Sequence, residues 1–269
     1  MVTGAASGLG RGLCVALAAE GVRVVAADVE ETPLAETVHM VRECGGWAIA
    51  QPADVTQPDA MAALAARAWS ELGQVELLFN NAGVFVGGWT WETTDADWRW
   101  ILGVNVRGVV NGIRAFLPGM IAQRTWGHVV NTASMAGIVS APLSGPYCAS
   151  KFAVVGLSEC LWHDLSMQPD NRIGVSVVVP SAVATDIARS ERTRPPALAG
   201  VATDGGRLVG DALAQATATG ADPVAAATRI LAGIEAGDFY IPTAEAFAEH
   251  CAIANETRLR KAPPRFQMF

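Results

Sequence analysis

The sequence is short of charge and shorter still of tyrosine. Asp, Glu, Lys and Arg make up 17% of its 269 residues, and only two tyrosines occur, Tyr147 and Tyr240. Basic residues are outnumbered 19 to 26, giving a net charge of -7. That balance lacks the basic footprint of a nucleic-acid binder or of a protein drawn to anionic membrane. No apolar run is long and uncharged enough to span a bilayer. The five cysteines, Cys14, Cys44, Cys148, Cys160 and Cys251, contain no C-x-x-C pair. Neither a disulfide framework nor a metal site is expected, and reduced thiols point to the cytoplasm. The four histidines share no ligand-like spacing, so no metal is expected from them either. The sequence opens in a glycine-rich stretch with no secretory leader pattern, which also reads as cytoplasmic.

What is abundant is small and apolar. Hydrophobic residues reach 51%, with alanine, glycine and valine foremost. That suits a sheet buried on both faces, with small residues where helices pack on it. Gly4, Gly8 and Gly10 form G-x-x-x-G-x-G ahead of a helical pattern that runs to Glu20. Such glycines let the backbone turn tightly and come close to a pyrophosphate, which the helix N-terminus then attracts. A lone glycine loop is a weak signal, but Val22 to Ala27 reads as a strand ended by Asp28. A carboxylate about 20 residues past the loop fits the ribose hydroxyls of an adenine dinucleotide. Only Met1 and Val2 precede Thr3, so the first strand is a stub or begins outside this sequence.

Further along, helices are expected over 32–46 and 57–73, with a strand over Trp47 to Gln51 leading to Asp54-Val55. Val75 to Phe79 reads as a buried strand ending in Asn80-Asn81-Ala82-Gly83, small enough to lie against a flat cofactor. A long helix is expected from Thr94 to Gln123, capped by Thr94 with Asp97 three residues on. Asn105 falls inside it among apolar neighbours, which predicts a buried polar contact or a local bend. Ile173 to Val179 is the next strand, followed by Pro180 and Thr185. Residues 186–221 read as a mobile lid with a short helix. A helix over Pro223 to Ala236, a short strand over Phe239 to Ile241 and a terminal helix over Glu245 to Arg260 complete the chain. With no linker or repeat, the whole of 1–269 is expected to be one doubly wound domain.

The chemistry concentrates between Ser134 and Lys151. Tyr147 and Lys151 are four residues apart, hence on one helix face. An ammonium beside a phenol stabilises the phenolate and lowers its pKa, so that it can exchange a proton with an alcohol oxygen. Ser134 ends the strand before that helix and can approach the phenol.

Taken in order, Thr3-Gly4-x-x-x-Gly8-x-Gly10, Asp54-Val55, Asn80-Asn81-Ala82-Gly83, Asn105, Ser134 and Tyr147-x-x-x-Lys151 resemble the short-chain dehydrogenase/reductase family almost end to end. The resemblance implies an α/β fold, a single Rossmann-type doubly wound parallel sheet with helices on both faces, here with its first strand truncated. It implies a catalytic tetrad of Asn105, Ser134, Tyr147 and Lys151. Tyr147 would be the base in alcohol oxidation, Ser134 would hold the substrate oxygen, and Lys151 would bond the nicotinamide ribose and depress the pKa of Tyr147. Asn105 would hold a relay water. The cofactor would be held by Gly4, Ser7, Gly8, Leu9, Gly10, Asp28, Val29, Asp54, Val55, Asn81, Ala82, Gly83, Tyr147, Lys151, Pro180, Val183 and Thr185. Asp28, followed by Val29 where users of NADP often carry arginine, favours NAD, with NADP the alternative. Ser181 departs from the Pro-Gly usual after Pro180. Relatives assemble as homodimers or homotetramers through the helices that hold Asn105 and Tyr147.

Phe85, Trp89, Trp91, Met135, Ile138, Pro142 and Leu143 are candidate substrate walls, together with the lid from Ile187 to Leu198. Trp89 and Trp91 covering a surface is the competing reading. The stretches around Trp100 to Asn105, Ser190 to Arg192 and Phe239 to Pro242 are similar to members acting on bulky aryl or cyclic secondary alcohols. The small-molecule substrate expected is therefore a hydrophobic alcohol or ketone. An NADP-dependent carbonyl or 3-oxoacyl reductase is one alternative. A non-catalytic dinucleotide sensor is the other.

Overall fold

The computed structural model describes residues 1–264. Its elements alternate strand and helix: β1 Val2–Thr3, α1 Gly8–Ala19, β2 Val24–Asp28, α2 Glu31–Glu43, β3 Ala48–Pro52, α3 Pro58–Leu72 and β4 Leu77–Asn80. Then come α4 Asp95–Leu102, α5 Gly108–Ala122, β5 Gly127–Thr132, α6 Gly145–Ser166, β6 Ile173–Val179, α7 Asp204–Ala218, α8 Pro223–Ala236, β7 Tyr240–Pro242 and α9 Phe247–Leu259. The strands form one seven-stranded sheet in the order β3-β2-β1-β4-β5-β6-β7, and each neighbouring pair is parallel.

Alternation along the strands fills both faces. On β2, Val24 and Ala26 face α1, α2 and α8. Val25 and Ala27 face α3, α5 and α6. Neither face is left to water, which is why these strands are apolar throughout rather than every second residue. Phe79, Leu78, Phe116 and Leu13 are among the largest fully buried side chains. Each contributes about 1.5–3 kcal/mol over an exposed position.

The stub strand is reinforced by a side chain. β1 lies centrally, Val2 pairing with Ala26 and with Phe79. Thr3 extends that pairing sideways: its hydroxyl donates to Phe79 O and accepts from the N–H groups of Asn81 and Ala82. Strand order reverses between β1 and β4, so the crevice of the fold opens at their carboxyl ends.

Two expected elements differ. The single helix over 94–123 is instead α4 and α5 joined by a π turn at Gly103–Arg107, where the N–H of Gly108 reaches back five residues to Gly103 O. The cause is Asn105, turned inward and bonded on three sides. The start of α4 is as the sequence implies, a capping box between Thr94 and Asp97. The stretch after β6 is more ordered than a mobile loop with a short helix. It holds 3₁₀ turns at Asp186–Thr193 and Pro196–Leu198, then the fifteen-residue α7. Alanine, glycine and threonine hide that helix in the sequence, because its apolar positions are small. Among the described residues, no helix is long and apolar enough to cross a membrane.

Candidate active site

A cavity of about 910 Å³ opens along the crevice. Every residue proposed for the cofactor, from Gly4 to Thr185, lines it. The glycine loop shapes one end. Gly4 and Gly8 have φ of +67° and +50°, in the left-handed region. A Cβ on Gly10 would lie 1.9 Å from Gly4 O, so no other residue fits there without moving the loop. Ser7 occupies the N-cap of α1, yet its side chain caps nothing. The first amides of α1 therefore remain available to an anion, at the positive end of the helix dipole.

Asp28 is fixed from two sides. Its Oδ2 accepts the N–H of Ala6 at 3.0 Å and its Oδ1 that of Glu30 at 3.1 Å. Each oxygen keeps lone-pair capacity for a hydroxyl. Two guanidinium groups near this end are already engaged. Arg11 bonds Ala6 O, Pro33 O, Thr37 and Glu36, and Arg192 pairs with Glu30. Asp54 makes a turn through the N–H of Thr56. Asn111 holds Val55 O at 2.8 Å. Asn81 ties β4 to its neighbours, donating to Thr3 O and accepting from Thr132.

The catalytic candidates converge at the other end. Ser134 starts a 3₁₀ turn, its hydroxyl accepting the N–H of Ala136, and it lies near enough to the Tyr147 phenol to favour the phenolate. Lys151 is buried, donates to Thr132 O at 2.9 Å, and holds its ammonium 5.7 Å from the Tyr147 ring centroid. Burial pushes the Tyr147 phenol up to about 12, and the Ser134 hydroxyl offsets only part of that. Burial also lowers Lys151 to about 8. The chain by itself thus leaves Tyr147 protonated at neutral pH. The sequence reading, in which Lys151 depresses the phenol, is not what these residues alone produce. At this distance the ammonium's influence does not offset the desolvation of a buried phenol.

Asn105 does not line the cavity. It lies behind the wall, where its Oδ1 accepts the N–H of Val84 at 2.8 Å. Its Nδ2 donates to Val84 O and to the Ser150 hydroxyl, and Ser150 donates on to Tyr147 O. Both amide protons are spent, so the side chain acts as a pin on the π turn and has no donor left for a water.

Among the substrate candidates, Phe85, Pro142 and Leu143 line the cavity. Phe85 meets Tyr147 with ring centroids 5.1 Å apart. Trp89 does not line it: it stacks on Trp91 at the surface, 42% exposed, so the surface-cover reading holds for both. Met135 and Ile138 are also outside it, packed against Val154, Val155 and Val177. From the expected lid, Ile187 and Leu198 line it; walls the sequence did not reveal are Trp100 and one face of α7, namely Leu208, Val209, Ala212, Leu213 and Ala216. Their spacing is helical, but alanine content masked it. Ser181 and Val183 line the cavity as well. The Ser181 N–H donates to Thr243.

The family model for short chain dehydrogenases matches residues 1–196. The chain belongs to the short-chain dehydrogenase family. A short-chain dehydrogenase/reductase from Burkholderia phymatum, solved in complex with NAD, superposes with a TM-score of 0.96 at 40% identity, covering 100% of this chain and 96% of that one. The CLA biosynthesis dehydrogenase/reductase of Lactiplantibacillus plantarum is 34% identical over 72% of this chain and 68% of its own. The C alpha-dehydrogenase of Sphingobium sp. strain SYK-6 is 36% identical over 72% of this chain and 63% of its own. Matches to curated relatives span from 37% to 75% of their lengths, so this short-chain dehydrogenase corresponds to only part of the longer ones. The chain is thus an oxidoreductase of the dehydrogenase/reductase type.

Proposed function

We propose that the protein interconverts a hydrophobic secondary alcohol and its ketone, using NAD(H). One arrangement carries this reading: Ser134, Tyr147 and Lys151 converge in a cavity that is polar and acidic at one end and apolar at the other. The glycine loop, the uncapped start of α1 and Asp28 fit a dinucleotide. Bound there, the nicotinamide supplies the hydride acceptor or donor. Asp28 and Glu30 place negative charge where a 2′-phosphate would lie, and Arg11 and Arg192 are already engaged, which favours NAD over NADP.

The remaining steps belong to the chain. Ser134 donates a hydrogen bond to the substrate oxygen and holds it near Tyr147. Tyr147, protonated at neutral pH, gives its proton to a ketone oxygen in reduction and takes it back in oxidation. Lys151, its ammonium held by Thr132 O, orients the cofactor ribose. Phe85, Trp100, Leu143, Leu198 and the α7 face exclude water from the carbon centre. These walls are apolar, which suits an aryl or cyclic substrate, while Arg99 and Arg107 line the same cavity beside Trp100 and Val104. The Burkholderia neighbour's NAD and the Sphingobium relative's C alpha-dehydrogenase name agree with this reading. Assembly as a dimer or tetramer through α5 and α6 accompanies it, supported by the exposed Phe152 and Trp162 on α6. Its test is light scattering in solution.

A panel of alcohols and ketones, run with each cofactor, tests the function. NAD-dependent turnover of neutral aryl or cyclic substrates is expected. Preference for NADP, or for charged acyl substrates, would contradict it.

A further inference from the structure

The segment Asp186–Leu198 crosses the cleft and carries three arginines. Arg189 pairs with Asp186 on its own turn. The other two reach across to opposite banks. Arg192 forks onto Glu30, Nε to Oε1 at 3.1 Å and Nη2 to Oε2 at 2.7 Å. Its Nη1 donates to Asp186 O and Arg189 O, which stiffens the turn. Glu30 follows Asp28 by two residues, so the fork closes over the end of the cavity where the adenosine ribose fits. Arg194 goes the other way. Its Nη2 donates to Asp97 Oδ1 at 2.6 Å and its Nε to Leu198 O at 2.5 Å. Its guanidinium lies 4.8 Å from the Trp100 ring centroid.

The two pairs differ in burial. The Arg194 and Asp97 side chains are 4% and 12% exposed; those of Arg192 and Glu30 are 36% and 25% exposed. Opening the inner pair strands a charge away from water. Opening the outer pair exposes both groups to solvent, and salt screens it. Held on both banks, the segment lies along the wall of the cavity a dinucleotide would fill, as a closing loop does.

We propose that the Glu30–Arg192 pair is the gate for coenzyme exchange, while the Arg194–Asp97 end stays closed and fixes the substrate wall through Leu198 and Trp100. The proposal rests on reading the cleft as a dinucleotide site. It makes Glu30 and Arg192 positioning residues for release, not for chemistry.

NADH release, followed by stopped-flow fluorescence on the full chain, is the test. Arg192→Ala and Glu30→Gln should each speed release about fivefold, equivalent to about 1 kcal/mol. The double variant should be no faster than either, and rising salt should speed release only from the unaltered protein. Melting temperature should hardly move. Arg194→Ala should instead lower the melting temperature and raise KM for the alcohol while NADH release stays slow. Unchanged or additive release rates in the outer-pair variants would overturn the gate, as would fast release from Arg194→Ala. Failure of the unaltered protein to bind NADH at all would overturn the dinucleotide reading and the gate with it.

Discussion

At the scale of single residues, Tyr147 carries the chemistry and its surroundings set the pH response. Burial holds its phenol near 12, so the protonated form dominates at neutral pH. Ketone reduction uses that form and should be nearly flat from pH 6 to 8. Alcohol oxidation needs the proton removed, so kcat/KM for oxidation should climb with pH across the same interval and beyond. Initial rates in both directions over a pH series check this. Tyr147→Phe should cost about 10²–10⁴ in rate with little change in melting temperature. Asn105→Ala is a different kind of loss. It strands the N–H and C=O of Val84 and the Ser150 hydroxyl, and should destabilise the fold by about 1–3 kcal/mol in urea titration. The sequence held Tyr147, Lys151 and Asp28 in plain view because their spacing to strand ends and helix turns is local. Scarcity helped too, since the chain has only two tyrosines, Tyr147 and Tyr240. What stayed hidden depended on distant contacts. The partners of Asn105 are twenty-one and forty-five residues away, and nothing near Trp89 in sequence says that it stacks outward on Trp91.

At the scale of elements, glycines set the tolerances. Gly112 on α5 lies against Asn80, where a Cβ would come 1.9 Å from Oδ1. Gly112→Ala must push α5 off the sheet or turn Asn80 away from Asn131, to which it donates at 2.9 Å. A loss of about 1–3 kcal/mol is expected in thermal unfolding. Strands and most helices were legible from apolar runs and caps, with ends displaced by up to three residues. The π turn was not, since it exists to satisfy one buried amide rather than a periodic pattern. α7 was not either, because the hydrophobic positions that reveal a helix are mostly alanine there.

Across the whole molecule, burial of His128 links stability to acid. Its Nε2 meets the Ser176 hydroxyl at 2.7 Å, and desolvation lowers its pKa to about 4. The unfolded imidazole takes its proton near 6.5. Native stability is therefore intact above about pH 6.5 and falls as pH drops toward 4, by up to about 3 kcal/mol from this one group. Urea denaturation at pH 7 and pH 4.5 should show the drop, and His128→Gln should reduce it. The same two-faced sheet that buries His128 also holds the glycine loop, Asp28 and Tyr147 along one crevice. The most direct measurement of the central claim is the absorbance change of the nicotinamide on mixing protein, NAD and a neutral aryl alcohol, beside the Tyr147→Phe variant. Reduced nicotinamide should form with the unaltered protein, more slowly with NADP, and should be lost in the variant. Equal turnover by Tyr147→Phe, or none with any neutral alcohol or ketone, would contradict it.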